Sequence, residues 1–396
     1  MQSTVSLLIV FGANNFYRQL FFECNRLHNL VTITFSTATL LMMLPHKNLL
    51  TYRQIGDEWA DTIVTTLVQN GQMPVVGHFL RQLTYNQQVT NQQDVPKYLQ
   101  EYLDKLSQLP SWADTRQIQL AVHFFEKNIE NISMLLGVYS LPYCYAAADG
   151  ARVLVHSQRI VAQTRRRLAE TAQFVLEVLS PDAFRPTGKA FRSIAKVRLY
   201  HAVMRHHILQ KGEWNMAWGL PINQMDMAGT NLSFSYIVLE GLRKIGVTTS
   251  FEEAQAYLHL WAVVGEMLGV QNELLPQNST NAKILCDEIV RLSFQKSDAG
   301  ILLMQALLEA FQTTPPFHVL KGFAPTYIRF LVGDDVGDLL EIPSANWTGN
   351  FISLLKMRNM YRSAVGFSPK EIQENVNRMS SQILALSQAT TFVHEH

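Results

Sequence analysis

Apolar positions recur at three- and four-residue intervals along most of the chain, the period of a helix with one buried face. Residues 56–71 place Trp59, Ile63, Val64, Leu67 and Val68 on such a face, with Gly71 positioned to end the element. Residues 95–110 repeat the pattern with Tyr98, Leu99, Tyr102, Leu103 and Leu106, and Pro110 follows. Ser250 with Glu253 three positions later forms a capping box that opens another helix. Two longer helices are predicted at 162–180 and 190–210. The first carries a ridge of Leu168, Ala172, Val175 and Leu179. Between them the pattern breaks. Residues 84–95 are rich in Gln, Asn and Thr and read as a solvated connection, while 141–150 and 211–224 combine Pro, Gly and aromatic residues and read as loops. Strand-like alternation never runs beyond four or five residues, so the fold class is all-α.

The first part of the chain reads differently. Residues 30–45, LVTITFSTATLLMMLP, form a charge-free run slightly shorter than the ~20 residues of a spanning helix. A buried or membrane-surface helix is the expectation, with a true span as the alternative. The opening MQSTVSLLIVFG lacks the basic region and small-residue cleavage site of a signal peptide.

Composition narrows the classes. Of 396 residues, 47% are hydrophobic and only 16% charged, which points to much buried apolar surface or to apolar partners. A net charge of +1 supplies no field for a phosphate backbone, so no nucleic-acid partner is expected. The three cysteines, Cys24, Cys144 and Cys286, form no CxxC pair. They are expected as buried thiols in a reducing compartment, hence a cytoplasmic location. HExxH, ExxH, GxSxG, GxGxxG and P-loop motifs are all absent.

What chemistry remains sits on the two long helices. KVRLYHAVMRHHIL, residues 196–209, gathers three histidines. Val197, His201 and Arg205 follow at four-residue intervals, with Arg198 and Met204 three positions from His201, so these share a face. His206 and His207 point elsewhere, near the helix end where cations favour the dipole. Spacing leaves His201 two readings, a satisfied core histidine or a metal ligand. On the preceding helix Arg167 and Thr171 are i and i+4 neighbours, so a guanidinium and a hydroxyl can face one cavity. Arg165 and Arg166 read as solvated. Carboxylate spacing singles out no catalytic pair.

The combined pattern resembles a known family. RLAET (167–171), VRLYHAVMR with His201 thirty residues after Thr171, WGLPINQMDMAGTNLSFSYIVLEGLRKIG and GEMLGVQNELLP resemble the rubber oxygenase (latex-clearing) and MpaB-like oxygenases. IGDEWADTIVTTL and VGDDVGDLLEIP look like the outer ends of the same domain. This divides the chain into an apolar segment 1–54, an oxygenase-like domain 55–345 and a helical extension 346–396.

The resemblance implies a globin-like helical core around haem b. His201 would be the proximal iron ligand, Arg198 and Arg205 would anchor propionates, and Thr230 would line the pocket. Arg167 and Thr171 would shape the distal side. Two positions depart from the rubber-cleaving members. Glu170 stands where they carry a lysine, and their catalytic glutamate falls near 149–151, where this chain has Asp149 as a shorter stand-in. Glu170 and Asp149 are the candidates for proton handling. The implied function is oxidation by O2 of a lipophilic, unsaturated, isoprenoid-like substrate, with C=C cleavage. The alternative is a haem-binding protein without turnover, a gas sensor or haem carrier. Membrane association would run through residues 30–45.

Overall fold

A computed structural model describes residues 49–89, 95–156, 164–312, 323–344 and 349–391. The apolar run 30–45 and Cys24 lie outside the described residues. A short 3-10 segment, Leu49–Gln54, precedes the helices α1 (Glu58–Gln69), α2 (Met73–Gln82) and α3 (Lys97–Leu106). The long helix α4 (Thr115–Leu135) passes through a wider π-turn at Leu136–Ser140 into α5 (Leu141–Ala146) and α6 (Ala148–His156). Then come α7 (Thr164–Val178), α8 (Ala190–Gln210), α9 (Gln224–Phe234), α10 (Tyr236–Lys244) and α11 (Phe251–Met267). The order closes with α12 (Ser279–Ser293), α13 (Asp298–Gln312), α14 (Phe323–Val332), α15 (Asp334–Leu339), α16 (Gly349–Val365) and α17 (Pro369–Thr391). Among the described residues there is no strand, only an isolated bridge between Ala147 and Phe294, so the all-α expectation holds. No described helix is long and apolar enough to cross a membrane.

Expected elements form for the expected reasons. In α1, Ala60, Ile63, Val64 and Leu67 are buried, and Asp57 caps the helix by accepting from the Ala60 amide. Val68, expected on the same face, is instead exposed. Ser250 and Glu253 exchange both bonds of the capping box, at 3.1 and 2.9 Å. One expectation is corrected. Residues 141–150 are not a loop but α5 and the start of α6, because Pro142 sits in the first turn, where a missing amide leaves no broken bond. Residues 211–224 are irregular as expected, apart from a single 3-10 turn at Met216–Trp218.

Helix α8 is the axis of the arrangement. Its Ala195, Leu199 and Ala202 pack with α1, α2 and α3 in one apolar cluster. Its Phe191 and Ile194 belong to the larger core built by α4 to α15. The C-terminal helix α17 lies against α7 and α4. A helix buried on two sides in this way can present a side chain to the interior without exposing it to bulk water.

Candidate active site

His201 occupies the middle of α8, deep in the protein, and is half-buried as a residue. Nδ1 is sealed and has no hydrogen-bond partner, and no described residue bonds the other ring nitrogen. Burial pushes its pKa down to about 4, helped by the Arg205 and Arg167 guanidiniums and only partly opposed by Asp57. A neutral, unpartnered imidazole results. The spacing-based alternative of a satisfied core histidine does not describe this ring, because no described residue satisfies it.

Arg167 acts on the His201 ring electrostatically and on the Tyr145 hydroxyl as well, so α7 brings it near both. Its guanidinium is half-buried and has no hydrogen-bond or ion-pair partner among the described residues. Thr171, one turn later on the same face, is likewise half-buried with an uncommitted hydroxyl. Arg167 and Thr171 therefore lie on one face of α7.

Other expected residues are engaged elsewhere. Arg198 closes on Asp57, Nε to Oδ2 at 2.6 Å and Nη2 to Oδ1 at 2.8 Å, and also donates to the Met267 carbonyl. The structure thus supplies a protein carboxylate where the resemblance put a propionate, since the planar fork matches a carboxylate in two contacts. Arg205 binds Asp61 at 2.8 Å and the Ile222 carbonyl at 2.7 Å. Its Nη2 is buried without a partner, leaving donors for a further anion. The Ile222 backbone adopts φ 54, a strained value for a β-branched residue, and Arg205 holds that loop in place.

Asp149 is not a free acid. Arg53 and Arg152 both engage its carboxylate, and Arg152 also stacks over the Trp218 ring. Glu170 is exposed and paired with Arg166 at 2.9 Å. Thr230 is exposed and donates to the Asp226 carbonyl of its own helix at 2.8 Å.

Three residues without an expected role join the site. Tyr145 is buried and feels the Arg167 charge. Cys144 is enclosed, bonded to the Ser233 hydroxyl at 3.3 Å, and feels the charge of Asp226. Asp226 itself lies deep in the protein and is half-buried. Burial pushes its carboxyl up to about 7, Asp149 adds to the rise, and Arg53 and an Asn223 hydrogen bond only partly oppose it. The signal for Asp226 was in the sequence, as the last residue of WGLPINQMD, but spacing could not reveal its burial.

The arrangement fits a haem. Among the described residues no three His, Cys, Asp or Glu side chains converge as a protein-only metal site requires, whereas a macrocycle brings four nitrogens of its own. If haem were bound, the unpartnered neutral imidazole of His201 would be the group to ligate its iron, and Arg205 and Arg167 would offer donors to its anionic or oxygen groups.

An all-helical catalytic domain built around an enclosed imidazole is the class these observations define. The sequence profile of a family described as ER-bound oxygenase mpaB/B'/Rubber oxygenase, catalytic domain, matches residues 131–367. The chain belongs to this family of oxygenases, as its VRLYHAVMR and WGLPINQMD motifs implied. A rubber oxygenase of Streptomyces sp. (strain K30) is 27% identical over 291 residues, 73% of this chain and 71% of that protein. The solved structure of a latex clearing protein in its closed state superposes with a TM-score of 0.72 at 23% identity, covering 84% of this chain and 91% of that one.

Proposed function

We propose that the protein is a b-type haem-dependent oxygenase that uses O2 on a lipophilic, unsaturated, isoprenoid-like substrate, cleaving a carbon–carbon double bond. The observation that carries this reading is the buried, neutral His201 ring, which no described residue bonds, with the Arg167 cation acting on it from α7. Its membership of an oxygenase family supports the reaction class, and the rubber oxygenase relative supports an apolar, unsaturated substrate.

When bound, haem supplies an iron centre able to take O2 and oxidise an alkene. The protein's own part is derivable from its residues. His201 offers a nitrogen that burial keeps unprotonated, the form that ligates a metal. Arg205 presents buried donors at Nη2 for an anionic substituent. Arg167 and Thr171 present a guanidinium and a hydroxyl that polarise an oxygen in the cavity, and in an enclosed site such donors act far more strongly than in water. Apolar neighbours on α7, Leu168 and Phe174, orient an apolar chain and exclude water.

A UV–visible spectrum of purified protein, wild type beside His201→Ala, with dithionite and CO, tests the reading. The expected result is a Soret band that His201→Ala abolishes or shifts. Absence of the band in both proteins after haem supplementation overturns it. A Soret band without oxygen uptake on isoprenoid test substrates favours the second reading, a haem-binding sensor or carrier, which the two departures Glu170 and Asp149 would explain.

A further inference from the structure

We propose that Glu177 is a positioning residue: its buried carboxylate sets the register between α7 and α8, and with it the placement of Arg167 and Thr171 against His201. Its effect on turnover rests on the oxygenase reading above. Its grip on the two helices rests on contacts. Glu177 stands in the last turn of α7 and accepts from Gln173 Nε2 of its own helix at 2.8 Å. Two further donors come from the first turn of α8. Arg192 Nη2 donates to Oε1 at 2.5 Å, and the Ser193 hydroxyl donates to Oε2. Each carboxylate oxygen is thus tied to α8. Glu177 and Ser193 are both buried, so water competes little for these bonds.

The connection between the two helices is pinned as well. Asn86, buried in the 3-10 turn Asn86–Gln88, donates through Nδ2 to the Ala183 carbonyl at 2.8 Å and the Arg185 carbonyl at 2.6 Å. Its Oδ1 accepts from the Arg192 amide at 3.3 Å. The Ala190 amide donates back to the Ala183 carbonyl at 2.9 Å. Gly188 passes so close to the Asp182 carbonyl that a Cβ would stand 2.0 Å from it. A short connection tied in this way makes α7 and α8 antiparallel neighbours.

From this closed end both functional helices are measured out in the same direction. Arg167 lies ten residues before Glu177, ~15 Å along α7, and His201 lies eight residues after Ser193, ~12 Å along α8. The two lengths bring Arg167 to the level of His201, where its charge is felt. A slip of one residue would move the α7 donors by ~1.5 Å and turn them by about 100°. A displacement of that size costs on the order of 10²-fold in rate. Apolar burial is non-directional and does little to forbid such a slip. A carboxylate shared between a guanidinium and a hydroxyl admits one geometry.

The competing account is that this buried ion pair only holds the fold together. The test compares full-length wild type, Glu177→Gln, Ser193→Ala and their double variant. Ile328→Ala, a core truncation in α14, serves as a destabilised control. Glu177→Gln keeps the size and removes one acceptor oxygen. Ser193→Ala leaves the ion pair and removes only the contact at Oε2. All are measured well below their melting temperatures. With an isoprenoid test substrate, Glu177→Gln and Ser193→Ala should each lower kcat on the order of 10–10²-fold, with KM within about threefold of wild type. The double variant should lose less than the product of the two. In the reduced, CO-treated proteins the infrared CO stretch reads the positive charge that Arg167 brings near. It should shift or split in both variants and stay unmoved in Ile328→Ala. Spin labels attached through an unnatural amino acid at Glu170 and His207, both exposed, report the register without haem. Their distance should shift or broaden in both variants.

A melting temperature that falls in Glu177→Gln while kcat, the CO stretch and the label distance stay unchanged overturns the proposal. So does an Ile328→Ala protein that moves the CO stretch as far as Glu177→Gln does. A wild type with no Soret band fails the haem reading instead, and the label distances still decide the register separately. Should Glu177→Gln not fold, an unshifted label distance in Ser193→Ala overturns the proposal as well.

Discussion

Arg198 and Asp57 grip each other through two contacts, 2.6 and 2.8 Å, across the boundary between α8 and the start of α1. Both are nearly buried, and Gly269 packs so closely that a Cβ there would stand 2.3 Å from the Asp57 carboxylate. Gly269 also has φ +93, a region that side-chain-bearing residues rarely adopt. Removing one partner strands a buried charge. Asp57→Ala or Arg198→Ala should destabilise the protein by roughly 3–5 kcal/mol in denaturant unfolding. An unchanged midpoint would mean that the pair is not structural.

The rise of the Asp226 carboxyl from an ordinary 3.8 to about 7 fixes a sign for stability against pH. The folded state binds this proton more tightly than the unfolded chain. The resulting stabilisation is complete below about pH 4 and is lost as pH climbs through about 7. Asp226→Asn removes the dependence. Thermal melts should therefore show the variant gaining on wild type from pH 4 to pH 8, and parallel curves would contradict the assignment.

Gly150 lies inside α6, with ordinary van der Waals room for a methyl group facing Asp226. Gly150→Ala should stabilise by up to about 1 kcal/mol, as alanine replaces glycine within a helix. Urea unfolding measures it. A loss of stability would show that the space before the Asp226 carboxylate cannot be narrowed.

Arg167→Gln and Thr171→Val remove two donors of α7 that no described residue engages. Each should cost turnover on the order of 10²–10³-fold with the Soret band retained, the scale of losing one preorganised donor. Loss of the band itself would reassign the residue to holding the cofactor.

Glu170 is exposed in a single ion pair with Arg166. Glu170→Ala should shift the unfolding free energy by less than about 0.5 kcal/mol, as surface i,i+4 pairs do. A larger effect in chemical denaturation would reveal a contact beyond that pair.

Local information was enough for much of the fold. The period of apolar positions marked α8, predicted at 190–210 and found at Ala190–Gln210, because burial of one face recurs every three to four residues. The Ser250–Glu253 box was legible because both of its bonds lie within four residues. The same logic misread 141–150. Proline and glycine there signalled a loop, whereas the first turn of α5 tolerates Pro142 and the packed interior holds Gly150 in a helix.

By itself, the sequence determined that the chain is helical, that His201 and Arg205 share a helix face, that Arg167 and Thr171 share another, and which oxygenase family it belongs to. These are matters of spacing and motif. Only the tertiary structure decided the partners of the charges. Asp57 meets Arg198 from 141 positions away, and Arg53 meets Asp149 from 96. It also decided that Asp226 would lie deep in the protein with no ion-pair partner among the described residues while Asp149 would be held by two guanidiniums. A carboxyl's protonation depends on the solvent removed and the charges brought near by distant segments, and neither is encoded in local spacing.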